Sequence, residues 1–296
     1  METITRYLSE DQVALLPTEA EIAFYEEHGW YVSQQILPDE LIDNAILGSE
    51  RYYRGERDTQ LLINVGYSDW QPGDTSILRN NEFVSLQNQQ LQQLGFYPII
   101  AAIAARLARA KQIRLFADSL LCKMPTTRNN NNGVVGWHAD KAYWSTCSSN
   151  NLLTAWIPFQ DCNELLGPLV VIDGSHKWED KQDLKNFYAQ NIEALEQKFR
   201  QQERQIRKVP MTLKKGQVSF HNCWTIHGSY PNYSNSPRLA MAVHMQDGAN
   251  RYQPVWNREG KQIYIGYDSL CRSLLNGDPD YSDPTIFPLL WVEEGS

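Results

Sequence analysis

Leu115-Phe116-Ala117-Asp118-Ser119-Leu120-Leu121-Cys122-Lys123-Met124 is where the chain changes period. It is a short, largely apolar run with none of the i, i+3, i+4 spacing of a helix, and it reads as a strand. Residues 152–159, 169–172, 217–221 and 239–245 read the same way, each bounded by Gly, Pro, Asn or Ser turn residues. Short strands punctuated in this manner predict a sandwich or barrel.

Upstream of residue 113 the signals are helical. Thr18-Glu19-Ala20-Glu21 forms a capping box ahead of Ile22, Phe24 and Tyr25, and Gly29 stops that helix. Trp30-Tyr31-Val32 is extended. Pro38-Asp39-Glu40 then starts a helix to about residue 53, with Leu41, Ile42, Ala45 and Ile46 on its apolar face. Pro98 opens a third helix, to residue 108. Between about 183 and 207 a segment rich in Gln, Glu, Lys and Arg predicts a helical insert on one face of the sheet. Such a helix is ordinarily a solvated surface element, with a lid over a site as the alternative.

Composition sets the outer limits. The 296 residues, 42% apolar and 21% charged, are those of a globular chain of one or two domains. We read one domain: a helical part to about 112, a β core from about 113 to 250 carrying the insert, and a C-terminal tail over 251–296. The net charge of −8 and the lack of a basic stripe argue against nucleic acid as a partner. The longest apolar run, 98–108, is interrupted by Arg106 and falls far short of a bilayer span. Residues 1–6 carry no apolar stretch of the secretory type. The cysteines at 122, 147, 162, 223 and 271 are odd in number and include no C-x-x-C pair, unlike a disulfide framework or a zinc knuckle. A soluble, cytoplasmic protein with reduced thiols is the expectation. The run Asn129-Asn130-Asn131-Asn132-Gly133 is a loop signal.

The chemistry concentrates in Gly136-Trp137-His138-Ala139-Asp140. On extended backbone, residues i and i+2 project to one face, so His138 and Asp140 can present an imidazole nitrogen and a carboxylate oxygen to one point. Alone, the tripeptide reads more readily as an exposed turn than as a ligand pair. His227, in Trp224-Thr225-Ile226-His227-Gly228-Ser229, is the best third ligand. Two His and one carboxylate on one face of an octahedron leave three positions open, the arrangement of non-haem Fe(II) oxygenases. Arg238 begins an otherwise apolar strand, Leu239-Ala240-Met241-Ala242-Val243. A guanidinium there needs an anionic partner: either the far carboxylate of 2-oxoglutarate, with Ser229 adding a hydroxyl, or a structural Asp or Glu.

These motifs resemble the phytanoyl-CoA dioxygenase family of Fe(II)/2-oxoglutarate-dependent oxygenases. The resemblance runs from Ala23-Phe24-Tyr25-Glu26-Glu27-His28-Gly29-Trp30 through Trp137-His138-Ala139-Asp140 and Gly167-Pro168-Leu169-Val170-Val171-Ile172-Asp173-Gly174-Ser175-His176 to His227-Gly228-Ser229 and Arg238. It implies a mainly β fold, a double-stranded β-helix (jelly roll) core with N-terminal helices. It also implies Fe(II) held by His138, Asp140 and His227, with 2-oxoglutarate and O2 as cosubstrates. By the same resemblance Arg238 and Ser229 hold the 2-oxoglutarate carboxylate, while Trp156 and Lys123 lie near it. Glu164-Leu165-Leu166-Gly167 departs from the Asn-Gly turn common in the family. Asp140 disfavours halogenation, because the related halogenases replace that carboxylate with a small residue.

The expected reaction is hydroxylation of an unactivated C–H in a small polar secondary metabolite, an alkaloid or modified amino acid, with release of succinate and CO2. Aromatic walls from residues 141–147, Tyr67, Trp70, Trp224 and Tyr230, together with surplus acid, suit a cationic group. Desaturation, epoxidation, rearrangement and an acyl-CoA substrate are the alternatives on the same iron. A non-catalytic jelly-roll binding module is the alternative of another class. His221, His176 and His28 read as structural, and so does His244, with an approach to the site as its alternative.

Overall fold

The computed structural model describes residues 8–61, 68–128, 133–180 and 184–293. The expectations for residues 1–6, Tyr67, Asn129 to Asn132 and Asp183 fall outside those residues.

The helical part begins with α1 (Glu10–Val13) and α2 (Glu19–His28). The Thr18–Glu21 capping box forms as the sequence predicts, and Gly29 terminates α2 at φ +78°, a left-handed conformation that a side chain resists. Strand β1 (Trp30–Gln35) and helix α3 (Asp39–Tyr53) follow, then β2 (Leu78–Glu82), α4 (Gln89–Gly95) and α5 (Pro98–Leu107). Helix α4 is one of the elements that the apolar pattern did not announce, along with α1 and β2. Its Gln-rich sequence buries Leu91, Leu94 and Gly95, and Asn88 caps it by accepting the Leu91 N–H.

The β core consists of two sheets. Its strands are β3 (Gln112–Lys123), β4 (Val135–His138), β5 (Leu153–Pro158), β6 (Val170–Ile172), β7 (Lys208–Pro210), β8 (Gln217–Asn222), β9 (His227–Ser229) and β10 (Arg238–Asp247). A short pair, β11 (Val255–Trp256) and β12 (Gln262–Ile263), and a final strand β13 (Leu289–Val292) lie in the segment read as a C-terminal tail. That segment is built into the core, since β13 pairs with β3 and Tyr281 and Phe287 are buried. The larger sheet runs β1-β8-β5-β10-β3-β13, with β2 also on β3, and the smaller runs β4-β9-β6-β7. The strand pairs are antiparallel, and the two sheets make the jelly roll.

Period-2 alternation divides β10 between two environments. Met241, Val243 and Met245 are fully buried against the helices in the main apolar core, which includes Ile99, Ile100 and Ile103 of α5. Arg238, Ala242 and His244 face the other way, into a cavity shared with Thr154 and Trp156 of β5 and His221 of β8. At roughly 25 cal/mol per Å² of buried apolar surface, the helix-covered face supplies the driving force for folding, and the opposite face is left for polar work.

The predicted insert is shorter than its composition suggests. Helix α7 spans Ile192–Gln201 and packs Ile192 and Phe199 against Trp137 and Ile172, beneath the smaller sheet. Its Glu196 is buried, accepting from Trp137 Nε1 and Lys208 Nζ at 3.3 and 3.0 Å. Among the described residues, no helix is long and apolar enough to cross a membrane. All five cysteines are free.

Candidate active site

Strands β4 and β9 settle how two histidines 89 positions apart in the chain come to meet. They are antiparallel neighbours whose register pairs His138 with His227, so both rings leave the same side of the smaller sheet with centroids 4.1 Å apart. Ala139 stays extended (φ −121°, ψ 134°), and Asp140 opens the one-turn helix α6 (Asp140–Tyr143) on the same side. Gly228 makes the close strand approach possible, since a Cβ there would lie 2.6 Å from the Val135 carbonyl oxygen.

Each imidazole is committed to one tautomer. His138 Nδ1 donates to the Gly136 carbonyl at 2.8 Å and His227 Nδ1 to the Thr225 carbonyl at 2.9 Å. Their Nε2 lone pairs therefore point inward, 3.8 and 3.5 Å from Asp140 Oδ1. One ligand atom from each of the three residues lies within 4.8 Å of the other two. Burial, then the neighbouring imidazole, pushes His138 from 6.5 down to about 3 and His227 down to about 4. Both are neutral, ligand-competent bases at neutral pH. Burial opposes ionisation of Asp140, but the imidazoles of His227, His221 and His244 outweigh it and hold its carboxyl well below 3.8.

A layer of polar residues supports Asp140. Thr154 Oγ1 donates to Asp140 Oδ2 at 2.6 Å and accepts from His244 Nδ1 at 2.8 Å. His221 Nε2 stands 3.4 Å from the same carboxylate oxygen, with its ring 4.3 Å from that of His227. The sequence reading of His221 as structural is refined, since it stands next to last in β8 and its ring faces the Asp140 carboxylate from the cavity wall. The available signal was parity, since His221 and Ser219 share one face of β8 and Ser219 pairs with Trp156.

Across the cavity, Arg238 is 2% exposed, its Nε and Nη1 lack partners, and it sits 5.5 Å from the Trp156 ring centroid. Lys123, its register partner on β3, is fully buried and donates to Ser229 Oγ at 2.5 Å and the Tyr230 carbonyl at 2.7 Å. Burial, then the Arg238 charge, drives Lys123 well below 10.5. Arg238 forms no ion pair with a carboxylate among the described residues, so the structural Asp or Glu allowed by the sequence is not there. Two buried basic groups and two unpartnered N–H groups together call for an anion with several acceptor oxygens.

The cavity joining these groups has a volume of about 560 Å³ and is lined by His138, Asp140, His227, Ser229, Trp156 and Arg238, among others. Its aromatic wall differs in part from the one expected. Tyr143 and Trp144 contribute as the 141–147 segment predicted, joined by Phe187, Tyr188, Tyr264 and Tyr267. Trp70 instead packs under Arg79 beside a second, shallower cavity, Trp224 Nε1 donates to Asn150, and Tyr230 leans on Trp137. Phe187 lies within 5.1 Å of the His138 ring because its carbonyl accepts the Gly136 N–H, docking the 184–190 loop on β4.

Comparisons with known proteins agree with this geometry. The family model described as "Phytanoyl-CoA dioxygenase (PhyH)" matches residues 68–240. The peroxisomal phytanoyl-CoA dioxygenase of Bos taurus is 22% identical over 235 residues, 77% of this chain and 68% of that enzyme. Among solved structures, the non-haem α-ketoglutarate-dependent carbocyclase SnoK from nogalamycin biosynthesis shares the fold, with a TM-score of 0.67, 21% identity and coverage of 92% of this chain and 96% of that one. The epimerase SnoN, in complex with Fe3+, α-ketoglutarate and nogalamycin RO, gives 0.66, 22%, 94% and 99%. With the matched segment covering more than half of its length, the chain belongs to the phytanoyl-CoA dioxygenase family of Fe(II)/2-oxoglutarate-dependent oxygenases.

Proposed function

We propose that this protein hydroxylates an unactivated C–H of a small polar secondary metabolite, an alkaloid or modified amino acid, consuming O2 and 2-oxoglutarate and releasing succinate and CO2. In this reading the helical part, the β core and residues 251–296 act as one dioxygenase domain of a cytoplasmic enzyme. His138 Nε2, Asp140 Oδ1 and His227 Nε2 hold Fe(II). Arg238 and Ser229 receive the far carboxylate of 2-oxoglutarate, with Trp156 alongside and Lys123 behind. The observation that carries the reading is the pairing of two inward Nε2 lone pairs on one carboxylate oxygen with a buried, unpartnered guanidinium across the same cavity.

When bound, Fe(II) with 2-oxoglutarate supplies the activation of O2 and the oxidising equivalent that a C–H bond requires. The chain does the rest. The Gly136 and Thr225 carbonyls keep His138 and His227 as Nδ1–H tautomers. Thr154 occupies Asp140 Oδ2, so that Oδ1 is the oxygen turned toward His138 and His227. Arg238 fixes the cosubstrate's direction through a planar fork that matches a carboxylate. Tyr143, Trp144 and Phe187 narrow the approach and exclude water from the substrate side.

Anaerobic titration of the Fe(II)-loaded protein with 2-oxoglutarate tests the reading. A metal-to-ligand charge-transfer band is expected, and a protein that binds iron without developing the band would overturn it. A rearranging or desaturating outcome is the second reading, favoured by the carbocyclase and epimerase that share this fold. Product mass separates the outcomes, since hydroxylation adds one oxygen atom and desaturation removes two hydrogens.

A further inference from the structure

The charged groups of the cavity are unevenly distributed. Arg238 stands on the side given above to the cosubstrate, while the substrate side carries one carboxylate, Glu82, and at the mouth one exposed ammonium, Lys185, 5.8 Å from the Tyr143 ring. Glu82 ends β2, where its register partner is Ser119. Alternation along that strand places Leu78, Asn80 and Glu82 on the cavity wall and turns Arg79 away, over the Tyr53 and Trp70 rings.

The Glu82 carboxylate is held by two neutral donors, Tyr267 Oη to Oε1 and the Ser68 N–H to Oε2, both at 2.8 Å. No Lys or Arg pairs with it among the described residues. A carboxylate has about four acceptor positions, so two remain for a ligand. Burial, opposed by those two hydrogen bonds and reinforced by the nearby Asp118, moves the Glu82 carboxyl upward. A cation arriving beside it would reverse that cost. Tyr143, Trp144 and Tyr267 also line the cavity, and aromatic rings attract positive charge.

We propose that Glu82 is the specificity-determining residue of the substrate subsite and that it accepts a protonated amine of the substrate. The amine's N–H groups occupy the free acceptor positions of the carboxylate, with the aromatic walls around it and the carbon to be oxidised turned toward the His138–Asp140–His227 cluster. The proposal rests on the iron and 2-oxoglutarate reading for that last orientation, and its charge selectivity is measured without turnover.

The experiment compares wild type, Glu82→Gln and Tyr267→Phe, each loaded with Zn(II) and 2-oxoglutarate. Ligand-observed NMR follows titration with small primary amines and their N-acetyl counterparts, headed by 2-phenylethylamine. Wild type is expected to bind the free amines in preference to the neutral partners. Glu82→Gln is expected to weaken amine binding about tenfold, the loss of one charged hydrogen-bonded contact, and to erase the preference. Tyr267→Phe removes a donor but keeps ring and carboxylate, so the preference should survive. An equal response to amines and N-acetyl compounds, an unchanged preference in Glu82→Gln, or no amine bound by wild type each overturns the proposal. The anaerobic Fe(II)·2-oxoglutarate band, recorded on the same proteins, reports separately on the underlying reading.

Discussion

His138 and His227 illustrate how a ligand set is prepared before any ion arrives. Each donates Nδ1–H to the carbonyl two positions earlier in the chain, so neither ring must choose a tautomer on binding. Thr154 does the same for Asp140, and its replacement by Val should loosen the carboxylate and lower metal affinity by about 10- to 100-fold. Mn(II) calorimetry on the folded protein measures that loss, and an unchanged affinity would remove Thr154 from the metal's support. Arg238→Ala should leave metal affinity intact and weaken 2-oxoglutarate by roughly 30-fold or more, the scale of losing one partner of a buried, hydrogen-bonded charge pair. A charge-transfer titration reads this directly, and undiminished 2-oxoglutarate affinity would return Arg238 to a structural role.

Strand β10 shows what alternation accomplishes. Arg238, Ala242 and His244 line the cavity, while Met241, Val243 and Met245 pack beneath the helices. Met241→Ala should therefore cost about 2–5 kcal/mol of stability through the cavity it leaves, yet keep 2-oxoglutarate affinity near wild type. Chemical denaturation and the charge-transfer titration together test this separation of faces. The 184–190 loop depends on Gly136, where an added Cβ would meet the Asn186 carbonyl oxygen at 2.1 Å. Gly136→Ala should displace that loop and open the substrate side around Phe187, seen as faster hydrogen exchange over 184–190 with iron binding retained.

In the whole molecule, neutral buried imidazoles couple folding to pH. His138 and His227 titrate near 6.5 when unfolded and at about 3 and about 4 when folded. The unfolded chain thus binds more protons as pH drops below 6.5, and the metal-free protein loses stability from there toward pH 4. Asp118 acts oppositely: burial raises it from 3.8 to about 6, so its contribution grows as pH falls through that interval. Metal-free His138→Ala keeps the Asp118 contribution and lacks one imidazole, so its stability should fall less steeply than wild type between pH 6.5 and 4. Denaturation midpoints across that range check the slope.

Local order determined much of this protein in advance. The Thr18–Glu21 cap, the left-handed Gly29, strands β3, β5, β6, β8 and β10 and the His138–Ala139–Asp140 spacing follow from rotamers, φ preferences and period-2 projection, which act over a few neighbouring residues. Assembly decided the rest. The His138–His227 register, the lack of a carboxylate paired with Arg238 among the described residues, the turn of His221 toward Asp140 and the placing of Glu82 and Tyr267 on one cavity wall arise where strands far apart in sequence are hydrogen-bonded into two facing sheets. Such contacts depend on which surfaces are buried together, and no short-range rule carries that information.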